Sequence, residues 1–227
     1  MLGPVLTLPQ GALALTEQEI LQKLNTVPVF LIVNGEGQSL TASVNNEETD
    51  IQVPIVFISS DEAEAFLDQA EEEQSELAAE AQIAVLPLSE VYEEASVQLE
   101  GAESLVYIPS SESVTQATEL VDREIQGVPL FAAVDLENDQ YLLTGNNTLP
   151  MFFSLQDLQS QLSNLIANNP DLEDSIGVEV VSFEAILSNL DSDDPDLNQF
   201  LELIQFVPAS QTLEYLQSPQ PAGGQGQ

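Results

Sequence analysis

One apolar segment occurs twice in the chain, and this internal repeat constrains the fold more than any other feature of the sequence. Residues 27–33 read VPVFLIV, and residues 128–134, roughly a hundred positions later, read VPLFAAV. Three further matches follow in the same order, and they pair 53–59 with 149–154, 85–91 with 178–184, and 107–111 with 206–210. Four matches in one order predict two copies of an α/β unit that face each other across a pseudo-twofold axis.

The charge balance restricts the partners that the protein can bind. Asp and Glu number 39, whereas Lys23 and Arg123 are the only basic residues, so the formal net charge is −37. Nucleic-acid binding requires clustered cations that neutralise phosphates, and an anionic membrane surface repels an acidic protein. The composition therefore excludes nucleic acid as a partner. A basic protein segment would be attracted instead, more weakly as salt rises.

Several catalytic systems are excluded because the chain has no His and no Cys. A Ser-His-Asp or Cys-His nucleophile and a thiolate or imidazole zinc site are impossible, and neither a P-loop nor a Gly-x-Gly-x-x-Gly motif occurs. Paired carboxylates, as in glycosidases, stay open, but the sequence nominates no pair. We predict no enzymatic activity and no cofactor. Because no run of about 18 apolar residues occurs, we also predict no membrane insertion.

The two ends of the chain are predicted to lie outside the folded region. Residues 1–15 (MLGPVLTLPQGALAL) contain a short apolar run and a small-x-small site at 12–14, which indicates the remnant of an export signal without its basic region. The alternative is an edge strand, because 5–9 resembles 105–109. Residues 218–227 (SPQPAGGQGQ) are disordered by composition.

The first α/β repeat is predicted to span 16–111 and the second 112–217. Thr16 and Glu19 form a capping box that starts a helix. Prolines stand at the beginning of four strands, where the missing N–H does least harm. The first copy is predicted to contain helices over 16–25 and 61–80, strands over 27–33, 39–44 and 53–59, and a polar loop over 45–50. The second is predicted to contain strands over 128–134, 140–144, 149–154, 177–182 and 204–207, with helices over 155–167, 183–190, 196–204 and 210–217.

Two charged features receive structural interpretations. Lys23 and Arg123 each follow a glutamate by four residues, so both are predicted near helix C-termini. The segment 191–202 has Asp at positions one and three and Glu at position twelve of a calcium loop. Position six, which needs glycine, is Asp196. We therefore interpret the segment as an acidic turn and helix N-cap.

The runs at 19–30, 53–58, 127–131 and 149–154 resemble the Tic twenty-two kilodalton family, and the resemblance extends over about 16–217. This family is a component of the chloroplast inner-envelope translocon, and its cyanobacterial relatives are periplasmic. The resemblance implies a non-enzymatic protein with two pseudo-symmetric α/β repeats, which form a two-lobed fold with mixed sheet and flanking helices. The export-signal remnant favours a cyanobacterial periplasmic member over a plastid protein of the intermembrane space.

The resemblance implies protein partners, and two hypotheses for the function follow. The first is a periplasmic chaperone or adaptor for outer-membrane proteins or preproteins, acting beside Omp85-type assembly machinery. It needs apolar grooves, for which the candidate residues are Phe57, Phe66, Phe152, Phe153 and Leu158. The alternative is a docking protein that binds one folded envelope partner. Apolar grooves on both lobes would favour the first, and a patch on one lobe would favour the second; each candidate residue could also be plain core.

Overall fold

A computed structural model describes residues 14–46, 49–73, 75, 80–96, 105–190, 192 and 194–218, without the side chains of 44–46 and 49–51. The helices are α1 Glu17–Leu24, α2 Ser60–Glu72, α3 Leu88–Ser96, α4 Ser111–Val121, α5 Leu155–Asn168, α6 Phe183–Leu187, α7 Pro195–Leu203 and α8 Ser210–Gln217. The strands are β1 Pro28–Val33, β2 Thr41–Asn46, β3 Thr49–Phe57, β4 Gln82–Pro87, β5 Val106–Ile108, β6 Pro129–Asp135, β7 Gln140–Tyr141, β8 Leu149–Phe152, β9 Ile176–Ser182 and β10 Ile204–Val207.

The strands form two five-stranded mixed sheets with the same core pairing. In the first sheet, β1 pairs antiparallel with β3 and β4, and β3 pairs parallel with β5. In the second, β6 pairs antiparallel with β8 and β9, and β8 pairs parallel with β10. The hairpin strands β2 and β7 pair with β3 and β6. The predicted mixed α/β fold with flanking helices is confirmed, and the pseudo-twofold relation stays a prediction.

The ladder register corrects the alignment of one matched pair of segments. Phe30 lies opposite Val85, and Phe131 lies opposite Val180. Val85 and Val180 therefore occupy equivalent positions, whereas the sequence match aligns Val85 with Val178. The slip arises because both strands alternate apolar residues, so a shift by two preserves the pattern.

Four predicted element boundaries are wrong. The loop predicted over 45–50 contains the end of β2 and the start of β3, because backbone pairing across a hairpin does not require apolar side chains. The helix predicted over 61–80 ends at Glu72, where acidic residues and no basic residue meet the negative end of the helix dipole. The predicted strand 140–144 is reduced to β7, and the predicted helix 183–190 ends at Leu187.

The start of α1 follows the predicted capping box. The Thr16 hydroxyl accepts a hydrogen bond from the Glu19 N–H at 3.3 Å, and the Glu19 carboxylate accepts one from the Thr16 N–H at 2.8 Å. Leu15 is only 6% exposed and joins the central core, so the folded region begins before the predicted boundary at 16. Residues 1–13 and 219–227, on which most of the terminal predictions fall, lie outside the described residues.

A central cluster takes side chains from one face of both sheets and from the inner helices. Along β1, Val29 and Leu31 enter this cluster, while Phe30 and Ile32 point to the opposite face, as strand alternation requires. Phe183 is fully buried at its centre and packs edge-to-face on the rings of Tyr107, Phe153 and Phe206. The two sheets therefore share one core between them.

The opposite, outer face of each sheet is covered by helices, one of which comes from the other half of the chain. Helix α4 follows β5 of the first sheet, yet its Ala117 packs with Phe131 of the second sheet. Helix α8 follows β10 of the second sheet, yet its Tyr215 ring lies 5.3 Å from that of Phe30 in the first sheet. The predicted second unit, 112–217, thus supplies a helix to the first. No helix in the described part of the chain is long and apolar enough to cross a membrane.

Candidate protein-binding surfaces

Helices α4 and α8 each cover the sheet of the other half of the chain, and we call them the exchanged helices. Carboxylates of neighbouring helices bind both at their first turns. The Glu62 carboxylate of α2 accepts a hydrogen bond from the Ser111 N–H at the start of α4, at 2.8 Å. The Asp157 carboxylate of α5 accepts hydrogen bonds from both the N–H and the hydroxyl of Ser210 at the start of α8, each at 2.7 Å. The Asp61 carboxylate also accepts a hydrogen bond from the Gln211 side chain at 2.6 Å.

These contacts surround a small cleft of about 60 Å³ lined by the first turns of α2, α4, α5 and α8. Helix N-termini attract anions because their N–H groups lack partners within the helix. Here Glu62 and Asp157 already supply negative charge and accept from those N–H groups. The hydrogen bonds around the cleft therefore hold the four helices together, and the negative charge of the two carboxylates does not favour a bound anion.

The outer face of the first sheet carries an apolar cluster that the helices cover incompletely. We call it the first outer cluster; its buried members are Phe30, Ile32, Phe57 and Ala63. Eight further apolar residues pack against it but are only partly buried: Leu40, Ile55, Leu67, Ala81, Ile83, Val85, Ile108 and Tyr215. The covering helices α2 and α8 expose Phe66, Leu213 and Leu216, and the Phe66 ring packs on Phe57 of this cluster.

The outer face of the second sheet has a corresponding arrangement. We call it the second outer cluster; its buried members are Ala117, Phe131, Ala133, Phe152, Leu155 and Leu158. Six partly buried apolar residues pack against it: Ile125, Leu142, Leu162, Val178, Val180 and Val207. Its covering helices α4 and α5 expose Leu120 and Leu165. Both sheets therefore have an outer surface where apolar side chains reach solvent.

The five residues predicted to line grooves occupy different environments. Phe57 lies in the first outer cluster, and Phe152 and Leu158 lie in the second; all three are at most 2% exposed. Phe153 faces the other way, into the central cluster. Only Phe66 is at the surface, 36% exposed, and its ring packs edge-to-face on Phe57. Phe57, Phe152 and Leu158 therefore lie beneath the outer surfaces, Phe153 belongs to the central core, and Phe66 is the one of the five that can touch a partner directly.

Sequence reasoning missed the exposed leucines of the covering helices. Leu213 and Leu216 stand three residues apart in α8, on adjacent turns of one helix face, which is a signal visible in the sequence. Leu120 and Leu165 lie near the ends of α4 and α5, after the residues that enter the core. An apolar residue in that position gives no sign, from sequence alone, of whether it is buried or exposed.

The two basic residues have structural environments that differ from each other. Lys23 lies in the last turn of α1, as predicted, and its ammonium donates hydrogen bonds to the carbonyls of Glu202 and Ile204, at 3.0 and 2.9 Å. Burial lowers the pKa of Lys23. This lysine lines a cleft of about 410 Å³ together with Glu19 and Glu202, whose acidity does not favour an anionic ligand. Arg123 follows the C-cap residue Asp122 of α4, so it too lies next to a helix C-terminus, although outside the helix.

Metal-binding clusters are not assembled in the described residues. No cluster of three carboxylates that could hold a metal ion occurs among them. In the segment 191–202, the Asp194 carboxylate accepts hydrogen bonds from the N–H groups of Asp196 and Leu197, which confirms the N-cap interpretation. Asp191 and Asp193 lie outside the described part. Burial raises the pKa of the Tyr107 phenol, so this group stays protonated inside the core.

Comparisons with known proteins agree with this architecture. The sequence model of the Tic22-like family matches residues 5–218. The protein named TIC 22, chloroplastic, of Pisum sativum is 25% identical over 192 residues, which cover 82% of this chain and 71% of the pea protein. The solved structure of Anabaena Tic22, described as a protein of protein transport, has a TM-score of 0.70 at 24% identity and covers 91% of this chain and 99% of its own. Tic22 from Plasmodium falciparum has a TM-score of 0.63 at 23% identity and covers 87% and 95%.

Proposed function

The chain belongs to the Tic22-like family, and on that premise we propose that it acts in protein transport as a non-enzymatic chaperone or adaptor that holds unfolded polypeptides. Two relatives support a transport role in a plastid or bacterial setting, because the pea protein is called chloroplastic and Anabaena Tic22 is described as a protein of protein transport. We propose that it acts in a space between two membranes, the periplasm in a bacterium. Clients would be outer-membrane proteins or preproteins, passed to Omp85-type machinery.

The observation that carries the proposal is the pair of outer clusters, one on each sheet. A protein that docks on one folded partner needs one specific apolar surface. A holding chaperone gains from two, because a long unfolded client can contact both at once and bind more tightly than to either alone. The presence of exposed apolar side chains on both pairs of covering helices therefore favours holding over docking.

The size and charge of the surfaces fit weak, reversible binding. Burying roughly 600 Å² of apolar client surface at about 25 cal/mol/Å² yields about 15 kcal/mol, most of which is offset by the ordering of an unfolded client. Such a complex releases its client without an energy source. The net charge of −37 keeps loaded complexes apart and attracts basic client segments.

The proposal is tested by aggregation of an unfolded outer-membrane barrel protein, diluted from denaturant with an equimolar amount of this protein. We expect suppression by the native chain. Two double variants, Phe66→Ser with Leu213→Ser and Leu120→Ser with Leu165→Ser, should each suppress less. Leu143→Ser is the matched control, because Leu143 is 44% exposed but lies in the loop between β7 and β8.

Each outcome of this assay has a defined meaning. No suppression by the native chain would refute the holding function. Loss in only one double variant would favour the alternative, a docking protein with one functional surface. Crosslinking in intact cells would then identify the partner, and capture of a single folded envelope protein without unfolded clients would support that alternative.

A further inference from the structure

Strand β9 has one edge that no other strand occupies in the described residues. It pairs with β6 along its whole length, from Asp135 opposite Ile176 to Pro129 opposite Ser182. The Leu136 N–H donates to the Ser175 carbonyl at 2.8 Å, and the Phe183 N–H donates to the Val128 carbonyl at 2.9 Å. These two bonds fix which residues of the antiparallel ladder exchange hydrogen bonds, because bonded and non-bonded pairs alternate.

The alternation leaves every second residue of β9 with its backbone groups directed away from β6. Gly177, Glu179 and Val181 fall in the bonded pairs. Ile176, Val178 and Val180 fall between them, so their N–H and C=O groups point to the free edge. No hydrogen bond to these backbone groups occurs within the part of the chain that the structure describes. Unpaired edge groups of this kind are a template for another strand.

A cleft lies beside the C-terminal part of β9, and partly buried apolar residues of the second outer cluster lie next to it. The cleft has a volume of about 290 Å³ and lies between residues 123–126 and 180–182. The Val178 and Val180 side chains, together with Ile125, pack on the second outer cluster and are only partly buried. Residues bonded across an antiparallel pair share one face of the sheet. Alternate side chains of an added strand would therefore rest on the second outer cluster.

Charge decides between a client segment and a second copy of this chain. Exposed acidic residues flank both ends of the edge: Asp171, Glu173 and Asp174 before β9, and Glu124 beside the cleft, where Arg123 is the one basic residue of the lining. Two copies, each with a net charge of −37, would bring these acidic ends together. An extended segment with basic residues would be attracted to the same place.

We propose that an extended, basic segment of a client polypeptide adds to the free edge of β9 as an antiparallel strand, with alternate apolar side chains on the second outer cluster. The inference rests on the proposed holding function and specifies how a client is bound. Main-chain hydrogen bonds supply sequence-tolerant affinity, which suits a protein that accepts many clients. The apolar and basic side chains supply the selectivity.

The test uses an end-blocked peptide as long as β9, seven residues, that alternates valine with lysine. Binding is measured by titration calorimetry on the full chain. In the proposed geometry the backbone N–H and C=O groups of the valines form hydrogen bonds to β9, and those of the lysines point away from it. N-methylation of the valine amides should therefore abolish binding, and N-methylation of the lysine amides should preserve it. Replacing lysine by glutamate in the peptide should weaken binding at least about tenfold.

The protein variant Val180→Pro removes one outward N–H without touching the bonds to β6, and Val180→Ala is its matched control. We expect proline to weaken peptide binding about tenfold relative to alanine. Equal affinity of the two variants, or equal binding of the two methylated peptides, would overturn the inference. If the proline variant does not fold, the methylated peptides decide alone.

Two further results separate this inference from the proposed function. If the native chain suppresses client aggregation and Val180→Pro suppresses it as well as Val180→Ala, the holding function stands and the edge inference fails. If the native chain suppresses nothing, the function fails whatever the peptides do. A concentration-dependent dimer in sedimentation that Val180→Pro converts to monomer would assign the edge to a second copy and overturn the proposed occupant.

Discussion

Replacing Asp157 by alanine is expected to release α8 from the first sheet while the rest of the fold stays intact. The carboxylate accepts two hydrogen bonds from Ser210, both at 2.7 Å. The other contacts of the helix are few: the Gln211 side chain donates to Asp61, Thr212 is its one buried residue, and Tyr215 is half-buried against Phe30. The loss of the carboxylate should therefore be felt locally.

The expected magnitude follows from the two bonds. A hydrogen bond contributes about 0.5–1.5 kcal/mol net, and more when the acceptor is charged. Because Asp157 is half-buried, solvent weakens the extra contribution of its negative charge. The two hydrogen bonds together should therefore stabilise the attached position of α8 by about 1–3 kcal/mol. Since about 1.4 kcal/mol corresponds to a factor of ten, the population with α8 detached should rise about 5- to 140-fold.

Hydrogen exchange measured by mass spectrometry on peptides from α8 and α5 provides the assay. Exchange in 210–217 should accelerate by this factor, while exchange in 155–168 should change little. Asp157→Asn, which keeps one side-chain oxygen acceptor, should give an intermediate rate. The reasoning is refuted if α8 exchanges at the native rate in the alanine variant, or if both segments accelerate equally, since the latter would mean global destabilisation.

Glu62→Ala is the matched perturbation for α4, and it should have a smaller effect. Helix α4 loses one hydrogen bond, to the Ser111 N–H, but keeps further contacts. The Ser113 hydroxyl donates to the Phe153 carbonyl at 2.9 Å in a buried position, and Ala117 is fully buried. Acceleration of α4 that equals or exceeds that of α8 would contradict the ranking.

Two further predictions concern the stability of the whole chain. Tyr107→Phe should raise the melting temperature, because the buried hydroxyl has no hydrogen-bond partner among the described residues. Removing it removes a desolvation cost of about 1–3 kcal/mol, and each kcal/mol corresponds to about 2–4 °C in a chain of this size. A lower melting temperature in calorimetry would show that the hydroxyl is paired. Raising NaCl from low to moderate concentration should also raise the melting temperature, since −37 charges repel one another in the compact state and salt screens them; a flat or falling curve would contradict this.

The sequence patterns predict helices and strands well where the apolar residues of the pattern are also the ones buried in the structure. The helix predicted over 210–217 is α8, and the strands predicted from the two Val-Pro runs are β1 and β6. The sequence could not show which of Phe57 and Phe66 is the more buried, because both are apolar residues on the same side of the first sheet. Their burial, 2% against 36%, depends on how far α2 stands from the sheet, which is a tertiary distance.

The exchange of helices could not be predicted from the sequence, for a more general reason. An amphipathic helix requires an apolar partner but does not specify which one. The pattern of α8 predicts one buried face equally well on either sheet, and the linker Pro208–Ala209 is too short to reveal the choice. The contacts that join α8 to the first half of the chain are those of Tyr215 with Phe30 and of Gln211 with Asp61, and the latter two residues lie 150 positions apart.

The exchange also accounts for the incomplete covering of both outer clusters. Each sheet is covered by one helix from its own half, α2 or α5, and by one from the other half, α8 or α4. The first turn of each exchanged helix is hydrogen-bonded to a neighbouring helix, through Glu62 or Asp157. Further along, each exchanged helix exposes leucines, including Leu120 and Leu216. Because one covering helix on each sheet comes from the other half of the chain, apolar side chains are left exposed over both sheets at once, which is the arrangement that the proposed holding function requires.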